Sequence, residues 1–373
     1  MKNFQLKLQN ALESRSSEGL LRELRVVENK IDFSSNDYLG LARNVELKAK
    51  VDEVYQSISF PNKLGSTGSR LISGNSQYFE DLETFLAQIH LAESALLFNT
   101  GYMANLAVFS TLPQKGDTVL YDELSHACIK DGIRLSLAER FSFLHNDLQS
   151  LENKLKRAKG QIFVAVESVY SMDGDFAPLL ELATLCEKYD AILIVDEAHS
   201  TGVFGKNGSG LVCALGLEKR IPIRIHTFGK AMGCHGAVVV GPKELRPYLV
   251  NFARPFIYTT AMSLHSLVSI KESYRYLTQH AGLQEIIAKN IKLFNSLISD
   301  PAIKIQSESA IQALMFSGNE NARNKASDLQ KQGFDVRPIL SPTVKKGSER
   351  MRICLHTYNS ETEIRELVKA ILG

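Results

Sequence analysis

Cysteine is sparse in this chain, and its few copies are badly spaced for metal or disulfide chemistry. The five, Cys128, Cys186, Cys213, Cys234 and Cys354, are odd in number and contain no C-x-x-C pair, which argues against a disulfide framework or a zinc ribbon and for free thiols. Excess charge is missing as well. Lys and Arg number 43 against 41 Asp and Glu, for a formal net charge of +2, so there is no footprint for nucleic acid or an anionic membrane surface. No uninterrupted apolar run approaches the roughly 20 residues of a bilayer span. The amino-terminal stretch MKNFQLKLQNALESRSS lacks the apolar core of a signal peptide, and a soluble cytoplasmic protein is expected. There is no internal repeat, low-complexity tract or long charge run. No H-E-x-x-H occurs to support His126 and His199 as metal ligands. A phosphate-binding G-x-x-x-x-G-K-[ST] is also absent: neither Gly205-Lys206 nor Gly229-Lys230 is followed by Ser or Thr. The letters DEAH at 196–199 therefore do not read as the second motif of a nucleotide-driven helicase.

What the chain does contain is an alternation of short apolar runs with amphipathic stretches. Its length suggests about two domains with ample core. Strands are expected at 95–98, 118–121, 161–166, 191–195, 224–227 and 237–240, with a helix over 178–189 whose Pro178 suits a first turn and whose Leu179, Leu182 and Cys186 share one face. From about residue 263 the order changes to a long helix, strands near 303–316 and 351–356, and a final helix over 361–372. This pattern predicts an α/β protein with an amino-terminal arm (1–45), a large, mostly parallel-sheet domain (46–262) and a smaller α+β carboxyl-terminal domain (263–373).

Two segments carry the chemistry. In IRIHTFGKAMGCHGA, residues 223–237, an apolar start suggests a strand that gives out at Thr227, and Lys230 follows among Gly229, Gly233 and Gly236. Glycines keep bulk away from whatever the lysine holds. The lysine is either a plain surface loop residue or the attachment point of an aldehyde cofactor. In AILIVDEAHSTG, residues 191–202, a fully apolar strand ends at Asp196, at the strand end where open α/β sheets bind ligands. A carboxylate there needs a partner, and the protonated ring nitrogen of pyridoxal phosphate is a recurrent one. A phosphate seat is available at Asn99-Thr100-Gly101-Tyr102, where Thr100 can cap a helix whose free N–H groups face an anion; an ordinary capped helix reads the same way.

These runs, taken in order, resemble the α-oxoamine synthase family of fold-type I pyridoxal phosphate enzymes. The likeness is carried by NDYLGL (36–41), GSTGSRLISG (65–74), NTGYMAN (99–105), LSHACIKDG (124–132), SVYSMDGDFAPL (168–179), DEAHSTGVFG (196–205), TFGKAMG (227–233), SPTV (341–344) and RMRICLH (350–356). The resemblance implies a homodimer that binds pyridoxal 5'-phosphate through Lys230, with Asp196 on the ring nitrogen and His126 stacked on the ring face. It gives His199 to the ring 3-oxygen, a role that Ser171 shares. Phosphate contacts fall to Gly101, Tyr102 and Thr227 and, from the second subunit, Thr260. For the amino-acid carboxylate it implies Arg352 with Asn36 nearby; Arg350, two residues earlier, would share the strand face, and alternation alone does not choose between them. Thr343 and Arg22 are implied on the substrate side, and Glu167 as a group orienting the acyl portion. The remaining histidines read as ordinary imidazoles, with His226 open because it adjoins Thr227. Cys234-His235 and the short arm before Ile31 depart from the common pattern.

The activity implied is a decarboxylative condensation of an amino acid with an acyl thioester. L-Alanine with a pimeloyl group on coenzyme A or a carrier protein, as in biotin synthesis, is the expected pair. Glycine with an acetyl thioester, giving 2-amino-3-oxobutanoate, is the alternative, since the same cofactor residues serve both.

Overall fold

Seven short segments align into one sheet because six of them are buried on both faces, as strands between two helical layers must be. The computed structural model describes residues 1–24, 26, 29–59 and 64–373. The strands are β1 (Ser94–Phe98), β2 (Thr118–Asp122), β3 (Glu139–Phe143), β4 (Ile162–Glu167), β5 (Ala191–Asp196), β6 (Ile223–Thr227) and β7 (Ala237–Gly241), in spatial order β1-β7-β6-β5-β4-β2-β3. All run one way except β7, which is antiparallel to both of its neighbours. On one face, Leu96, Ile194, Ile225 and Val239 pack against Val108, Ile129 and Leu249 of the covering helices. On the other, Leu120, Val164 and Val195 meet Leu151 and Leu182. The α/β architecture read from the sequence is the one found.

A third apolar cluster joins the segment after Ile31, the helix Leu264–Gln279 and the carboxyl-terminal strands. There a small antiparallel sheet has Arg350–Cys354 between Ile311–Met315 and Arg337–Ile339, and Arg352 lies opposite Ala313 on one side and Arg337 on the other. The arm is tied in by Ile31–Asp32, which pairs with Phe334–Asp335.

Some expectations need correction. The long helix after 263 is two, Leu264–Gln279 and Gly282–Leu297, parted at His280 and Ala281. The strand expected over 303–316 is confined to Ile311–Met315, with a lone bridge from Lys304 to Leu314. The edge strand β3 was not foreseen, because four of its five residues are exposed and its apolar signal is correspondingly thin. No helix among the described residues is long and apolar enough to cross a membrane.

Candidate active site

Strand β5 ends at Asp196, whose carboxylate is almost fully buried at the carboxyl edge of the sheet. Its Oδ2 accepts from Asn105 Nδ2 at 2.7 Å and its Oδ1 from the Ala198 N–H at 2.9 Å. Both donors are neutral. A buried carboxylate oriented by neutral donors remains favourable to an added cation. Asn105, one turn beyond Gly101, also donates to the Gly101 carbonyl at 3.1 Å, while its own Oδ1 is buried without a partner.

Beside it, β1 leads into the helix Gly101–Thr111. Thr100 accepts from the Met103 N–H at 3.2 Å and so caps that helix, as its sequence suggests. Thr227, at the end of β6, closes in from the other side: a Cβ on Gly101 would stand 2.8 Å from Thr227 Oγ1, so only glycine fits without displacement. The capped helix end and the threonine hydroxyl together frame a small anion seat. Tyr102 is exposed at its rim and donates to Asp131. Asn99 Nδ2 donates to the Thr260 carbonyl at 3.0 Å, so Thr260 of the same chain already borders the seat, with its side chain exposed.

Lys230 sits in a closed loop. The Phe228 N–H donates to the Gly236 carbonyl and the Cys234 N–H to the Phe228 carbonyl, at 2.9 and 3.0 Å, and Gly233, at φ +66°, lies so close to the backbone of Leu41 and Ala42 that no side chain could stand there. Lys230 Nζ is 2.8 Å from His199 Nε2. Burial lowers the lysine from its ordinary pKa, Asp196 and Glu167 opposing, and burial together with the lysine charge holds His199 well below its own. Both groups are thereby pushed toward their neutral forms. His199 Nδ1 in turn lies 2.8 Å from the Tyr38 hydroxyl, which is 3.0 Å from Asn36 Oδ1.

The chain of contacts continues to the carboxyl-terminal sheet. Arg352 donates through NH2 to Asn36 Oδ1 at 2.9 Å, through Nε to the Ser171 carbonyl at 2.6 Å and through NH1 to Cys354 Sγ at 3.0 Å. Arg350 turns elsewhere, to an ion pair with Asp173 and the Ser348 carbonyl, so the two arginines that strand alternation could not separate differ in their partners. Ser171 meets this network through its backbone. His126 caps the helix Ala127–Leu135 by accepting from the Cys128 N–H through Nδ1 at 3.2 Å, and its ring is exposed. Its own N–H donates to Glu167 Oε1 at 2.7 Å. Glu167 is buried, and burial, reinforced by Asp196, pushes its carboxyl up to about 8. It therefore anchors the His126 backbone from a buried position.

The family model for class I and II aminotransferases matches residues 28–371. The chain belongs to this family. An 8-amino-7-oxononanoate synthase from Emericella nidulans is 40% identical, covering 98% of this chain and 94% of its own, and one from Marinobacter nauticus is 35% identical, covering 96% and 94%. Among solved structures, a serine palmitoyltransferase from S. paucimobilis with bound PLP superposes with a TM-score of 0.88 at 28% identity over 98% of this chain and 96% of its own. An 8-amino-7-oxononanoate synthase from Francisella tularensis gives 0.79 at 30% identity over 92% and 96%. These relatives bear out the α-oxoamine synthase resemblance, with an amino acid and an acyl thioester as the substrate classes that it carries.

One cavity opens at the site, beside His126 and Ser171, and a second lies next to it against the amino-terminal arm. The first, of about 720 Å³, is lined by His126, Ser171, Thr343, Lys130, Lys345 and Arg350, among others. The other, of about 710 Å³, is lined by Arg15, Arg22, Leu21, Arg323, Arg337 and again Thr343. Thr343 is exposed on the wall that the two share, and Arg22 is exposed in the second cavity, away from Lys230 and its partners. Sequence reasoning passed over Tyr38 and Asn105, although both lie inside the runs NDYLGL and NTGYMAN. His226 proves to be a core residue, fully buried, bonded to Thr201 Oγ1 at 2.9 Å and stacked on His90 at 3.6 Å.

Proposed function

We propose that this chain is an 8-amino-7-oxononanoate synthase that uses pyridoxal 5'-phosphate to join L-alanine to a pimeloyl thioester, with loss of carbon dioxide and the free thiol. The observation that carries the reading is the convergence of a half-buried lysine, a buried carboxylate and a half-buried arginine on one crevice, in a chain 40% identical over nearly its whole length to a synthase of that name. The residues suit the cofactor. Asp196 has neutral donors behind it, and a Gly101 side chain would fill the seat that the phosphate needs. When bound, the cofactor supplies an electron sink for the electrons released at the amino acid's α-carbon.

The chain supplies the rest. The Lys230 amine, held toward its neutral form, would hold the cofactor at its aldehyde carbon and, once the amino group of the substrate displaces it there, would be free to take the α-proton. Asp196 would keep the ring nitrogen protonated, the helix end at Gly101 and Tyr102 with Thr227 and, from the second subunit, Thr260 would hold the phosphate, and His126 would lie over the ring face. His199, with Ser171 beside it, meets the ring oxygen. Arg352 and Asn36 bind the amino-acid carboxylate. Thr343 and Arg22 line the acyl route, and four arginines in the second cavity suit an acyl chain ending in a carboxylate. In this reading the enzyme works as a homodimer.

The serine palmitoyltransferase fold matches somewhat better overall, but backbone likeness is common to every branch, and residue identity favours the synthase. The test is kcat/KM for L-alanine with pimeloyl-CoA against glycine with acetyl-CoA. The first pair should win clearly. Preference for glycine and acetyl-CoA would leave the family and cofactor standing and remove the proposed pathway.

A further inference from the structure

Tyr38 is fully buried, and its hydroxyl is the middle link between the arginine clamp and the lysine. Three polar atoms surround that hydroxyl: His199 Nδ1 at 2.8 Å, Asn36 Oδ1 at 3.0 Å and Arg352 NH2 at 3.5 Å. The last is too long to be more than a weak contact. Hydroxyls carry one proton and two lone pairs, whereas guanidinium can only donate.

These constraints leave one consistent arrangement. Arg352 NH2 stands 2.9 Å from the Asn36 amide, so the atom it meets there is the amide oxygen, not the nitrogen. That oxygen has no proton to give. At 3.0 Å from the Tyr38 oxygen it therefore receives the Tyr38 proton, since two oxygens at this distance repel without one. The Tyr38 oxygen is then free only to accept, and His199 must donate to it through Nδ1–H. Neutral imidazole carries a single N–H, and burial and the lysine charge keep this one neutral. His199 Nε2 is thus a bare acceptor facing Lys230 Nζ at 2.8 Å.

We propose that Tyr38 is a positioning residue that transmits the donor-only character of Arg352 to His199, fixing the histidine as the Nδ1–H tautomer so that Nε2 accepts a hydrogen bond from Lys230 or from whatever group replaces it. The inference deepens the proposed reaction, whose lysine and carboxylate clamp it connects. A consequence for the cofactor follows: any ring oxygen that meets Nε2 has to donate, so His199 favours the protonated form of that oxygen.

The test reads the tautomer directly. In the full-length chain labelled with ¹⁵N-histidine, with and without cofactor, the His199 signal, assigned by its loss in His199→Gln, should show the Nδ1–H pattern. In Tyr38→Phe, which keeps the ring and removes the hydroxyl, the proton should redistribute toward Nε2. The pH at which the visible absorbance of the cofactor-loaded enzyme changes should move with it, and kcat should fall roughly tenfold, as for one lost hydrogen bond. The amino-acid KM should change less than kcat. An Nε2–H pattern in the unaltered chain overturns the inference whether or not the variant folds, as does an unchanged tautomer and pH profile in Tyr38→Phe. Because the tautomer is read without substrate, a failed substrate assignment leaves this result standing, and the converse holds.

Discussion

Arg352→Lys is the perturbation whose size the structure allows to be worked out. The guanidinium directs three donors at three fixed acceptors, the Ser171 carbonyl, Cys354 Sγ and Asn36 Oδ1. An ammonium on a lysine stem preserves the charge, but it is a point donor that cannot span all three and also present a fork to a substrate carboxylate. A charged hydrogen bond left unmade costs about 1.5–3 kcal/mol. Taking about 2 kcal/mol, the amino-acid KM should rise roughly 30-fold, at 1.36 kcal/mol per factor of ten. Initial rates measured against each substrate in turn give the answer: the thioester KM should stay within about threefold, because the clamp meets the amino acid alone. Arg350→Lys is the internal control. Its guanidinium is engaged by Asp173 and not by Asn36, so its effect on the amino-acid KM should be smaller. An amino-acid KM that barely moves in Arg352→Lys, or a thioester KM that rises equally, would refute the assignment of the clamp.

Two further outcomes are expected. Asp196→Asn retains shape but removes the charge, and since both neighbours, Asn105 and Ala198, are donors, the new amide can accept from only one of them without opposing the other; exchange of the alanine α-proton should fall by orders of magnitude while the chain still folds, and near-normal exchange would contradict the role given to the carboxylate. His145 bridges Asp122 and Asp175 at 3.0 and 2.7 Å, and although burial works against its charge, these bonds raise its pKa to about 9 from 6.5. Because the folded value is the higher one, the stabilisation, of about 3 kcal/mol at most, is fully present below about pH 6.5 and is lost as pH rises through about 9. The melting midpoint of the unaltered chain should therefore decline over that interval more than that of His145→Gln, and parallel curves would refute the argument.

Much of the sheet was legible because burial on both faces writes an unbroken apolar run, as in Ala191–Asp196. Where burial is one-sided or absent the signal fails: β3, exposed at four positions, leaves only Phe141 and Phe143 to mark it. The helix break at His280 and Ala281 carries no proline, and Gly282, the one cue, sits just inside the second helix. At the site, Lys230, Asp196, His199 and Arg352 could be singled out because their residue types announce chemistry. Tyr38 and Asn105 act through what they touch, and a tyrosine in NDYLGL or an asparagine on an apolar helix looks like core until the third dimension supplies His199 and Asp196 as neighbours. Parity along a strand places Arg350 and Arg352 alike; only Asp173 and Asn36, distant in sequence, separate them. For Glu167 the strand end was readable but the direction of its side chain, toward the His126 backbone, was not.

The central claim is that Lys230 is the residue that holds the cofactor. Borohydride reduction of the purified, cofactor-loaded protein, followed by peptide mapping, fixes the label where the carbon–nitrogen link stood. The account predicts a single pyridoxyl-modified peptide containing Lys230, and no such peptide in Lys230→Ala. A label on any other lysine, or an unmodified Lys230 in a protein that is yellow before reduction, would contradict it.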